Sequence, residues 1–111
     1  GLFVEFYEGN KSPQSWLKAD GATRYPEQKK IIVRGNVELY NHKRDKLETA
    51  ELIWNEDSQE ISTEKFVRIT QPEKGDTTYG FGFVSDQHFN RFEIKRRFSG
   101  KIEEKMLSEL K

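Results

Sequence analysis

The sequence predicts an all-β fold built from antiparallel strands with one wet face, and three observations predict it. Apolar residues alternate at period two from Gly35 to Ile69, where Val37 and Leu39, then Leu47 and Thr49, then Ile61, Thr63, Val67 and Ile69 each share a parity. Polar turn-forming clusters separate these segments. The pattern also recurs thirty residues apart, placing Leu17 on Leu47, Ala19 on Thr49, Ala22 on Leu52, Ile31 on Ile61, Val33 on Thr63, Val37 on Val67 and Leu39 on Ile69. A repeat of this kind, two strands folded back by a turn, buries its apolar face only by stacking on its neighbour.

Taken in order, Leu2, Val4 and Phe6 alternate with Phe3, Glu5 and Tyr7 in a first strand, which ends at the turn formers Glu8 to Pro13. Trp16, Leu17 and Ala19 begin the next. Its parity shifts between Ala19 and Ala22, as at a bulge beside Gly21. Tyr25-Pro26-Glu27-Gln28 turns the chain, and Ile31, Val33, Gly35, Val37 and Leu39 form one face of a long strand whose other face carries Arg34, Asn36 and Glu38. Asn41 to Asp45 is a turn, Leu47 to Trp54 a strand, Asn55 to Gln59 a turn and Ile61 to Ile69 a strand. After the turn Gln71 to Asp76, Tyr79, Phe81 and Phe83 alternate with Gly80 and Gly82, two small residues that admit a close neighbour to the backbone. Phe89 sits in a connection. Phe92, Ile94, Phe98 and Ile102 share a parity along a last long strand, interrupted on that face by Arg96 and Gly100. Met106, Leu107 and Leu110 have helical spacing, so a short C-terminal helix is expected, marginal on its own. Residues 1–102 read as one β domain and 103–111 as a tail.

The 111 residues suit a single domain, and a hydrophobic fraction of 33% with mean hydropathy of -0.92 makes it soluble with a thin core. Lys+Arg and Asp+Glu are 19 each, so no net field draws the chain to nucleic acid or to an anionic membrane. The absence of cysteine excludes disulfides and thiolate metal sites and decides nothing about compartment. No apolar run approaches the roughly 18 residues of a membrane span. The chain opens on Gly1, directly in a strand-like run, and is expected to be a piece of a longer protein.

Chemistry-bearing constellations are sparse. His42 lies in a charged turn and no second ligand stands at metal spacing from it or from His88. Asp86 and His88 resemble an acid and imidazole pair, but no nucleophile motif accompanies them. Carboxylates are abundant, as a glycosidase would need, yet they fall mostly in turns and on polar faces. Lys95-Arg96-Arg97 beside Phe92 and Phe98 suits a phosphate or a stacked base, and equally a charged strand that blunts a sheet edge. Gly80-Phe81-Gly82 lacks the strand-to-helix context of a phosphate loop. No catalytic residue, metal ligand or cofactor is expected.

Solvation leaves the aromatic weight unexplained, Phe 8, Tyr 4 and Trp 2. These rings are either ordinary core or the lining of an apolar trough between two sheets, suited to long acyl chains at about 0.8 kcal/mol per buried CH2. Two other readings compete. A β-sandwich carbohydrate-binding or hydrolase domain predicts facing carboxylates in a cleft, or a flat aromatic platform outside; a structural repeat that oligomerises by its edges predicts only a dry core.

Several strings carry a resemblance: Arg34-Gly35-Asn36-Val37-Glu38, Leu47-Glu48-Thr49-Ala50-Glu51-Leu52-Ile53-Trp54, Ile61-Ser62-Thr63-Glu64-Lys65-Phe66-Val67-Arg68-Ile69 and Tyr79-Gly80-Phe81-Gly82-Phe83, with Trp16-Leu17-Lys18-Ala19-Asp20 upstream. From about Leu2 to Ile102 the chain resembles the LptC family, the periplasmic bridge of the lipopolysaccharide exporter, which shares its fold with LptA. The resemblance implies an open, twisted β-jellyroll of stacked antiparallel strands whose apolar groove receives lipid A acyl chains. It further implies a non-enzymatic role: lipopolysaccharide comes from the inner-membrane ABC exporter and passes to LptA. A periplasmic location follows, with an N-terminal anchor in the inner membrane and a further strand pair ahead of Leu2. By position, the glycine of the family's Tyr-Gly motif falls on Gly80. The last strand, with Phe92, Ile94, Arg96, Phe98, Gly100 and Ile102, would be the open edge onto which LptA adds its own strand. The repeat itself assigns the groove lining to Val37, Leu39, Ile61, Val67, Ile69, Phe81, Phe83, Ile94 and Phe98, a set that one bulge would partly turn outward.

Overall fold

The alternating segments form antiparallel strands in one open sheet. The computed structural model describes residues 1–7, 9 and 13–111, so most of the first turn, at residues 8 and 10–12, lies outside the described residues. The strands are β1 (Leu2–Tyr7), β2 (Pro13–Ala19), β3 (Gly21–Tyr25), β4 (Lys30–Asn41), β5 (Lys46–Asn55), β6 (Glu60–Gln71), β7 (Asp76–Asp86) and β8 (Phe92–Arg97). A short helix α1 (Glu104–Leu107) and a 3-10 turn (Ser108–Leu110) follow. The sheet order is β1-β2-β4-β5-β6-β7-β8, with β3 paired to the first part of β4.

The thirty-residue repeat has a structural counterpart. β2 and β3 act as one strand broken at Asp20, because β2 pairs with the second part of β4 and β3 with the first. That broken strand corresponds to β5, and β4 corresponds to β6. The bulges repeat as well. The β4–β5 register shifts between Arg34 and Val37, where Gly35 and Asn36 have φ of 85° and 46°, and the β6–β7 register shifts between Thr63 and Phe66. At each bulge the longer strand spends one extra residue, so its partner steps by three between inward positions, from Thr49 to Leu52 and from Gly80 to Phe83.

Twist then folds the sheet onto itself, so that diagonally opposite corners meet. The connection after β7 reaches the far ends of β2 and β4: Ser15 Oγ donates to the Gln87 carbonyl at 2.6 Å, and Asn41 Nδ2 to the Phe89 carbonyl at 2.9 Å. Phe6 of β1 meets Trp54 of β5 edge to face, with centroids 5.0 Å apart. Between the two halves lies one apolar cluster, running from Phe6 and Leu17 through Val37, Leu39, Leu47, Val67 and Ile69 to Phe83, Phe89 and Ile94.

The last strand is shorter than its sequence parity suggests. β8 stops at Arg97; one further bond, from the Phe98 amide to the Tyr79 carbonyl at 2.9 Å, closes the ladder. Gly100, at φ 141°, takes the chain out of line, so Phe98, Gly100 and Ile102 are not strand residues. The tail instead folds back over the outer face of β5 and β6, where Leu110 is buried and the Asn36 amide donates to the Lys111 carbonyl at 3.3 Å.

Candidate functional site

The proposed groove residues are brought together, but as a packed interior. Val37, Leu39, Ile61, Val67, Ile69 and Phe83 are each 0–1% exposed and Ile94 is 7% exposed, all within the central cluster. Phe81 is turned away from it. The inward Gly80 and the inward Phe83 are three positions apart, and Gly82, at φ 84°, supplies the extra step. Phe81 therefore packs outside, 5.1 Å from Phe66, which itself stacks on Tyr79 at 5.9 Å; the Arg96 guanidinium lies 5.6 Å from the Phe81 ring. Phe98 stands beyond the end of β8, outside the cluster.

The interior opens beside β1. Leu2 and Val4 of β1, Leu17 of β2, Ala22 of β3, Ile31 and Val33 of β4 and Trp54 of β5 bound an apolar recess of about 200 Å³, with Arg24 at its rim. Arg24 is held there by two bonds of 3.0 Å to Glu56. The Trp54 indole Nε1 is buried without a hydrogen-bond partner among the described residues, a donor available to an acceptor that enters. Sequence parity missed this mouth, since it groups residues by strand and not by sheet end; Leu2, Val4 and Leu17 nevertheless stand in inward rows of the alternation.

Both outer strands of the sheet order, β1 and β8, present an edge. Phe92, Ile94 and Arg96 lie on β8 as expected for an edge, whereas Gly80 lies one strand inward, opposite Arg97. A Cβ at Gly80 would stand 2.7 Å from the Arg96 carbonyl oxygen and press on Ile94. The close neighbour anticipated at the two glycines is thus β8 itself. At Gly82 it is the Lys95 side chain, which extends on to Glu64 at 2.6 Å.

Several polar groups of the turns and the outer face have structural partners, while Gln87 Oε1 and His88 Nδ1 are buried without one among the described residues. Asp86 Oδ1 accepts from the Asn90 and Arg91 amides at 3.0 and 2.9 Å, holding the β7–β8 connection. Asn41 closes the turn after β4, its Oδ1 accepting from the Lys43 and Asp45 amides at 2.9 and 3.0 Å while its Nδ2 reaches Asp45 and Phe89. Phe89, which sits in the connection between β7 and β8, is 1% exposed and 5.8 Å from Phe83. On the outer face, Arg68 bonds Glu48 at 2.6 Å and holds that carboxyl below the usual carboxylate range. Burial, with a hydrogen bond to Glu38, pushes the Tyr40 hydroxyl up to about 12. Among the described residues no three His, Cys, Asp or Glu side chains stand as a metal set, and no helix is long and apolar enough to cross a membrane.

Comparison with known proteins places this architecture. Residues 2–103 match the family model described as lipopolysaccharide-assembly, LptC-related. None of the curated proteins matches the chain. The LptC-related family works in lipopolysaccharide transport, at the inner membrane and in the periplasm. With that match spanning the whole sheet and an all-β jellyroll-like fold in place, the chain belongs to the LptC-related family of lipopolysaccharide-assembly proteins.

Proposed function

We propose that this domain is a non-catalytic module that binds lipopolysaccharide and passes it from the inner-membrane ABC exporter to LptA. The observation that carries the reading is the apolar mouth beside β1, which leads from solvent into a continuous apolar interior. Acyl chains entering there would meet Leu17 and Val33 first and then the rows of Val37, Leu39, Val67, Ile69 and Phe83. The mouth as it stands holds about seven water volumes at roughly 30 Å³ each, too little for several long chains. Loading therefore requires the two halves to part, and each CH2 buried returns about 0.8 kcal/mol toward that opening. On this reading the edge of β8 accepts a strand from LptA through main-chain pairing, and the anchor to the inner membrane lies N-terminal to β1.

A photo-crosslinking residue at Ile31, in the mouth, tests the reading. It should capture lipopolysaccharide, while the same residue at the exposed Thr23 should not. Equal capture at both positions would remove the mouth as the entry point. For the edge, a proline at Ile94 should reduce LptA pull-down by interrupting β8.

A further inference from the structure

The interior does not account for every aromatic residue of β1, β2 and β4. Phe3 and Tyr7 of β1 are 57% and 51% exposed, on the face opposite Leu2, Val4 and Phe6. Strand pairing sets Trp16 opposite Tyr40 and Lys18 opposite Phe3, so Phe3, Trp16 and Tyr40 share the outer face. Together with Lys18, Asn41 and Arg44 these rings bound a shallow recess of about 470 Å³.

Charge at this recess is unbalanced, although the chain as a whole is neutral. Several cations elsewhere are matched by a carboxylate: Arg24 by Glu56, Arg34 by Glu51, Arg68 by Glu48 and Lys95 by Glu64. Lys18 and Arg44 have no ion-pair partner among the described residues, and no carboxylate lines the recess. The nearby carboxylates are engaged by their own strands, Glu5 by the Tyr7 hydroxyl and Glu38 by the Tyr40 hydroxyl.

We propose that this outer face binds a phosphorylated sugar, the headgroup of the amphiphile whose acyl chains enter on the other side of β1. The proposal rests on the lipopolysaccharide reading above. Ring faces carry negative quadrupole charge and favour the C–H faces of a sugar. The Arg44 guanidinium and the Lys18 ammonium supply phosphate donors, the first as a planar fork and the second as a point charge. β1 is an edge strand with the apolar mouth on its inner face and the aromatic recess on its outer face, so one amphiphile can straddle it, chains inside and headgroup outside.

The chain has two tryptophans, and they divide the test between them: Trp16 lines the outer recess and Trp54 the inner mouth. In a Trp54→Phe chain, a phosphorylated glucosamine disaccharide carrying no acyl chains should change Trp16 emission saturably. Its affinity should fall at least tenfold with Lys18→Glu plus Arg44→Glu, and likewise when the phosphates are removed from the probe. Circular dichroism verifies that each variant is folded. An affinity indifferent to charge reversal or to phosphate overturns the proposal, as does a Trp16 response to anionic vesicles with none to the free disaccharide. In a Trp16→Phe chain, Trp54 emission with intact lipopolysaccharide reads the mouth separately. A silent Trp54 with a responding Trp16 refutes the interior reading and leaves the outer site standing, and the reverse refutes the outer site alone.

Discussion

Gly80→Ala adds a single methyl group where the structure leaves no room for one. The new Cβ would sit 2.7 Å from the Arg96 carbonyl oxygen and 3.3 Å from the Arg97 Cα, in addition to its contact with Ile94. Two of these neighbours are backbone, so a rotamer change cannot relieve the clash; β8 itself must move. Overpacking of this kind costs about 1–3 kcal/mol. A displaced β8 has nowhere to re-pair, since β7 is its one partner strand, and the bond from the Phe98 amide to Tyr79 is put at risk with it. Taking about 2 kcal/mol against a urea dependence of about 2 kcal/mol per molar, the unfolding midpoint should fall by roughly 1 M. Gly21→Ala is the control, because nothing lies within 4 Å of its added Cβ, and its cost should stay within about 0.5 kcal/mol. Hydrogen exchange should show protection lost first at the amides of β8 and retained in β4 and β5. An unchanged midpoint for Gly80→Ala, or protection lost evenly over the sheet, would rule out a clash that displaces β8. Gly80→Arg, which aggravates the same clash, should weaken LptA pull-down.

Three further substitutions probe the interior, the corner contact and the outer face. Phe83→Asp places a carboxylate at a site 0% exposed, between rings at 5.8 and 6.0 Å, and should leave the domain without a cooperative thermal transition; a stably folded variant would mean that the interior is wet. Asn41→Ala removes four hydrogen bonds and leaves the Phe89 carbonyl unpaired, so about 3 kcal/mol and roughly 10 °C of melting temperature should be lost, with no loss indicating that the corner contact is incidental. Glu48 has a folded pKa depressed by Arg68, so the stability it contributes is present above its ordinary value of about 4.5 and vanishes as pH falls through the folded one. Glu48→Gln should therefore cost about 1 kcal/mol at pH 7, discounted for partial exposure, and little at pH 2; equal costs at both would exclude the ion pair as the cause.

Alternation at period two located all the strands except the break between β2 and β3, which appeared in the sequence as the parity shift from Ala19 to Ala22. That shift held more information than its own neighbourhood. The same three-residue step recurs from Thr49 to Leu52 and from Gly80 to Phe83, about one repeat apart each time. Carried through the repeat, it turns Phe81 outward, where simple parity placed it inward. The interior rows of Val37, Leu39, Ile61, Val67 and Ile69 were legible because the bulges fall on their own strands and preserve parity there. Phe89 and Asn41 were not legible, since their burial depends on opposite corners of a twisted sheet meeting, and no local pattern encodes that contact. The end of β8 was obscured for a related reason. Phe98 and Ile102 continue the strand parity, but Gly100 redirects the chain and Leu110 finds a tertiary seat on the outer face. Inward aromatics and an outer aromatic platform are rival signatures in the sequence, and the fold carries both, with Phe6, Phe83 and Phe89 inside and Phe3, Trp16 and Tyr40 outside.

On the proposed function, lipopolysaccharide is held between two halves that must part to admit it. Ser15 Oγ and the Gln87 carbonyl, 2.6 Å apart, bridge those halves, and the chain has no cysteine of its own. Ser15→Cys with Gln87→Cys puts two thiols at the bridged positions, and the protein in which mass shows a closed disulfide carries a reversible covalent lock. Lipopolysaccharide capture at Ile31 should then be lost in the oxidised protein and restored on reduction; equal capture in both states would mean that the halves need not part.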